Sequence, residues 1–128
     1  MSFEHPNILY IGDGEQGGAL AQAVESLGWQ VFTPATTLDA LATYITLVPD
    51  IIMIDRVARP VFATEVYHHL RSIEARPLLL LTDPGSRVDW DRSDATVYVR
   101  RHTANHAELI EAVRSIVQRE VAVTARRY

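Results

Sequence analysis

Neither cysteine nor lysine occurs among the 128 residues, and each absence removes chemistry. Without cysteine there is no disulfide and no thiolate, which suits a reducing compartment. Without lysine there is no Schiff base, no P-loop ammonium and no ammonium contact to an acyl phosphate; all 12 basic residues are arginine. No apolar run approaches the ~20 residues of a membrane-spanning helix. The start, Met1-Ser2-Phe3-Glu4-His5, carries no basic stretch ahead of an apolar segment, so no secretory signal is read there and a soluble, cytoplasmic protein is expected. Basic residues are scattered apart from Arg100-Arg101 and Arg126-Arg127, and the formal net charge is −4, whereas a nucleic-acid footprint needs a basic stripe. Neither nucleic acid nor membrane is expected as a partner.

What is present is ordinary globular usage, 48% hydrophobic and 22% charged, in a length that makes one domain. We expect a single domain over residues 1–128, its core from about residue 6 to 122 and a short fraying tail over 123–128. Short apolar runs alternate with helical periodicity. Residues 7–12 read as a strand buried on both faces. A glycine-rich break follows, and Leu20, Ala23, Val24 and Leu27 then recur at helical spacing up to Gly28, a C-terminal cap signal. Trp29-Gln30-Val31-Phe32 makes a second strand. Thr36 or Thr37 caps a helix carrying Leu38, Leu41, Tyr44, Ile45 and Leu47, which Pro49 ends.

The third strand is Ile51-Ile52-Met53-Ile54, with a loop to Pro60 and a helix of Val66, Leu70 and Ile73. Pro77 introduces a fourth strand, Leu78-Leu79-Leu80-Leu81. The polar stretch that opens with Asp83-Pro84-Gly85 reads as a loop or a single helical turn. A fifth strand over residues 96–99 leads to a last helix over residues 104–122 with Leu109, Ile110, Val113, Ile116, Val117 and Val121 on one face. This order predicts a doubly wound α/β fold: a five-stranded parallel sheet of flavodoxin-like order with helices on both faces and a reduced fourth helix.

In such a sheet the carboxyl ends of the strands share one edge. Asp13, Asp55 and Thr82 each stand just past an apolar run and so converge on one crevice. Two carboxylates there suit Mg²⁺, which takes one or two carboxylates and keeps several waters. A carboxylate beside such an ion can attack a phosphoryl donor, because the metal spreads the charge of the transferring group.

With these residues in place, the chain resembles the receiver domain of bacterial two-component response regulators over nearly its whole length. Gly12-Asp13 matches the position of the receiver acidic pair, Asp55 the phosphoacceptor, Thr82 the hydroxyl position, Tyr98 the switch aromatic and Arg101 the lysine position. The resemblance implies Mg²⁺ held by Asp13, Asp55 and the backbone carbonyl of Val57. It also implies phosphoryl acceptance on Asp55, a histidine kinase or other signalling protein as partner, and no turnover beyond self-phosphorylation and dephosphorylation. The chain departs from the pattern in four places. Gly12 removes one acid, arginine replaces lysine, the loop after Asp55 reaches its proline one residue late, and the segment between Thr82 and Tyr98 is short.

Other readings stay open. Asp55 can cap its loop or pair with Arg56, Arg59 or Arg101; Asp13 and Thr82 can be turn residues, and Tyr98 a packed strand aromatic. A receiver that is never phosphorylated would act as an interaction module, and Val121 and Val123, if exposed, would offer it a homodimer surface. Gly12-Asp13-Gly14-Glu15-Gln16-Gly17 also satisfies the G-x-G-x-x-G fingerprint of a dinucleotide site, although the second strand ends without the acid that would hold a ribose. Adjacent His68 and His69 point apart on a helix, and His102 and His106 flank a helix start at residues 103–105; neither pair is read as a metal site.

Overall fold

The computed structural model describes residues 5–73, 77–82, 97–103 and 105–126. In chain order the elements are β1 (Asn7–Ile11), α1 (Gly14–Glu25), β2 (Gln30–Phe32), α2 (Thr37–Leu47), β3 (Ile51–Asp55), α3 (Pro60–Ile73), β4 (Leu78–Thr82), β5 (Val97–Arg101) and α4 (His106–Arg126). All strand pairs are parallel, in the order β2-β1-β3-β4-β5, which is the flavodoxin-like order. The polar segment between β4 and β5, where a reduced helix was expected, lies outside the described residues.

Every residue of β3 and β4 is buried, which explains why these strands read as unbroken apolar runs. Alternation along the strands divides the core in two. Leu9, Ile11, Ile52, Ile54, Leu78 and Leu80 face α2 and α3. Ile8, Tyr10, Ile51, Met53, Leu79 and Leu81 face α1 and α4. Asp50 joins β1 to the start of β3: its carboxylate accepts from the Asn7 N–H at 2.8 Å and its own N–H donates to the Asn7 carbonyl at 2.9 Å.

Local chemistry sets the helix ends. The Asp13 side chain accepts from the Glu15 N–H, that of Thr36 from Asp39, and that of Asn105 from Ala107 and Glu108, so three helices open on an oxygen cap. Helix α3 opens on Pro60, whose missing N–H has no helical partner to lose. The cap of α1 is Ser26 rather than Gly28; Gly28 follows in a turn at φ +77°, a conformation glycine tolerates. Helix α2 closes on Val48, left-handed at φ 47°, one residue before Pro49. Helix α4 runs to Arg126, so residues 123–126, expected to fray, continue the helix. Val121 is half-buried on α4, whereas the exposed large apolar residues are Leu38, Ile45, Leu47 and Val48 on or beside α2, and Val61 on α3. Among the described residues no helix is long and apolar enough to cross a membrane.

Candidate functional site

Asp55 is the last residue of β3 and shares the strand face of Ile51 and Met53. Its side chain is fully buried. One oxygen, Oδ1, accepts the Val57 N–H at 2.9 Å, which closes the turn after the strand. The other, Oδ2, accepts the Tyr10 hydroxyl at 3.1 Å. The imidazole of His102 brings Nδ1 to 3.3 Å from the same Oδ2, without hydrogen-bond alignment. Parallel pairing explains how His102 arrives there: β5 runs alongside β4 to the pair Thr82 and Arg101, and the His102 N–H donates to the Thr82 carbonyl at 2.8 Å.

The Tyr10 ring lies between β1 and the start of α1, and its hydroxyl also stands 3.4 Å from Oε1 of Gln16. Burial, then the charge and hydrogen bond of Asp55, then the charge of Asp13 hold the Tyr10 phenol well above its ordinary pKa. A cavity of about 210 Å³ opens beside this cluster, with Tyr10, Gln16, Asp55, Thr103 and His106 among its walls.

The predicted site residues divide. Asp55 and Val57 come together, Val57 through its N–H. Asp13 is half-buried at the same edge and caps α1. Thr82 is buried at the end of β4, one residue past Leu81, the partner of Asp55 in the sheet. Arg101 is exposed, and the residue beside Asp55 is His102, one step further along the chain. Tyr98 is bound to α4, its hydroxyl donating to Glu120 Oε1 at 2.6 Å with the Arg119 guanidinium 5.9 Å from its ring. Burial, with the Glu120 hydrogen bond and charge, pushes its phenol up to about 12.

The oxygens on which an Mg²⁺ ion would draw, with waters completing its octahedron, already accept hydrogen bonds from within the chain. Gly12 supplies no carboxylate, Asp13 Oδ1 is engaged by the Glu15 N–H, and both Asp55 oxygens receive donors from the chain itself. Among the described residues no group of three or more His, Cys, Asp and Glu side chains converges as metal ligands. Two of the three fingerprint glycines, Gly12 and Gly17, are used for packing. A Cβ on Gly12 would meet Asp55 and Tyr10, and one on Gly17 would meet Tyr10 and Thr33. The N-terminus of α1, where a pyrophosphate would rest, is already capped by a carboxylate.

No protein-family model and no curated protein matches the sequence. Solved structures do match it. The chain is similar to a CheY-type chemotaxis protein from Vibrio cholerae, with a TM-score of 0.71 and 18% identity over 88% of this chain and 98% of that one. It is similar to a two-component response regulator from Clostridium difficile, with a TM-score of 0.69 and 16% identity over 91% and 98%. A third likeness is to a chain in the crystal of a histidine kinase in complex with a response regulator, with a TM-score of 0.66 and 20% identity over 87% and 97%. The fold is that of response-regulator receiver domains.

Proposed function

We propose that this chain is a receiver-fold signalling module that passes its signal on by protein contact, with Asp55 unmodified. One observation carries the reading: the fully buried Asp55 carboxylate has Tyr10, Val57 and His102 at its oxygens. Attack on a phosphoryl donor needs a carboxylate oxygen open in line with phosphorus and a cation to spread the transferring charge. Neither condition suits this cluster. The chain has no lysine, and Arg101 is exposed. A histidine kinase or another signalling protein is the partner class this fold favours, since one similar structure is of a histidine kinase in complex with a response regulator. The module performs no catalytic turnover.

The competing reading is that Asp55 accepts a phosphoryl group after Tyr10 and His102 withdraw. Intact mass after incubation with acetyl phosphate, with and without Mg²⁺, separates the two. Wild type is expected to keep its unmodified mass under both conditions. A phosphoryl adduct that needs Mg²⁺ and disappears in Asp55→Asn would overturn the proposal.

A further inference from the structure

We infer that Tyr10, Gly12 and Gly17 form one interlocked unit, in which the tyrosine ring and hydroxyl occupy the place a cation and its acid would need. Tyr10 is thus the residue that decides whether Asp55 can ligate a divalent ion. The inference deepens the reading of Asp55 given above and is tested apart from it, by cation binding and melting temperature rather than phosphoryl transfer.

Both glycines are required for space and not for backbone conformation, because neither has a positive φ. Tyr10 and Gly12 lie on one face of the strand, two residues apart, so the ring can lean along β1 over the bare Cα. A Cβ at residue 12 would stand 3.0 Å from Asp55 Cβ and 3.2 Å from both Tyr10 Cε1 and the Tyr10 hydroxyl. A Cβ at residue 17 would stand 2.9 Å from Tyr10 Cδ1 and would also collide with Thr33. The ring therefore lies closely between two glycines, and a side chain at residue 12 would have to displace the ring and Asp55 by a few tenths of an ångström or more. Tyr10 is only 3% exposed and packs with Leu20, Met53 and Leu81, so leaving this place would cost the ring those contacts.

The hydroxyl completes the exclusion. It donates to Asp55 Oδ2, so a proton bound to oxygen stands where a cation would have to approach that atom. A phenol in this place satisfies one buried carboxylate oxygen without an ion. Glycine at residue 12 and the aromatic at residue 10 are then coupled, and replacing one without the other is unfavourable.

The test titrates Mn²⁺ by electron paramagnetic resonance and measures melting temperatures in the same variants. Wild type is expected to show no Asp55-dependent Mn²⁺ site. Tyr10→Val combined with Gly12→Asp is expected to gain one, which Asp13→Asn then removes. Gly12→Ala is expected to lower the melting temperature by about 5 °C or more in wild type and in the Tyr10→Phe background, where the ring persists. In the Tyr10→Val background the part of that drop owed to the ring should vanish, while the part owed to the approach of Asp55 Cβ remains. An Asp55-dependent Mn²⁺ site in wild type as tight as in the double variant, or a folded double variant with none, would overturn the inference. So would an undiminished drop for Gly12→Ala beside Tyr10→Val, and this cycle decides the matter alone if the double variant does not fold.

Discussion

On the α2/α3 face of the sheet, Leu9, Ile52, Ile54 and Leu80 meet Ala40, Val66 and Leu70, and the buried strand side chains in that cluster are all aliphatic. On the α1/α4 face, Ile8, Ile51, Met53 and Leu79 meet Leu20, Val24, Val113 and Val117 at the same depth, but the row also holds Tyr10 and runs on to Asp55. The helices differ in the opposite sense. Leu38 and Val61 on α2 and α3 are 76% and 79% exposed, whereas Leu109 and Ile116 of α4 are buried. Depth of burial of the strand side chains does not mark out the face that carries the site. The mark is a polar group admitted into an otherwise equivalent layer, and the two glycines that make room for it.

The largest effects test whether the layers are equivalent in packing. Leu80→Ala on one face and Leu79→Ala on the other are each expected to cost about 3 kcal/mol in urea unfolding. A loss below half that value on either side alone would break the equivalence.

Next comes the polar group itself. Tyr10→Phe is expected to cost about 1–2 kcal/mol, because Asp55 Oδ2 loses a donor while staying buried. The Tyr10 and Tyr98 phenols both lie above the ordinary value of 10.0, Tyr98 at about 12. The fold favours their neutral forms, so this contribution is whole below pH 10 and declines as pH rises from 10 toward 12 and beyond. Urea midpoints measured across that window should fall for wild type and fall less for Tyr10→Phe; identical slopes would show that the phenol does not feel its surroundings.

The smallest effect is at the surface of the other face. Val48→Gly relieves a β-branched residue in left-handed conformation and is expected to raise stability by about 0.5 kcal/mol, after the extra freedom of glycine in the unfolded chain is subtracted. Thermal unfolding checks it, and a decrease would show that the apolar contacts of Val48 outweigh its strain.

Much of this was legible in the sequence because buried parallel strands leave a plain trace. The runs at Ile51 and Leu78 hold nothing polar until their last residue, and that residue marks the edge where Asp55 and Thr82 lie. Tyr10 was missed because an aromatic inside an apolar run reads as core, and it is core for all but its hydroxyl. The available signal was its place two residues before Gly12, on the same strand face, with Gly17 in the first turn of α1. His102 was missed for a different reason. The end of β5 was placed at Val99 by its apolar residues, whereas pairing with β4 extends the strand to Arg101. Two residues of extension hand the place beside Asp55 to the next side chain, because successive residues point in opposite directions.

The exposed Arg100 and Arg101 close β5, the last strand in the sheet order. A terminal strand offers a row of backbone donors and acceptors on which another chain can continue the ladder. Arginine at both closing positions puts positive charge on the two faces of that edge, which opposes pairing with a second copy of the same strand.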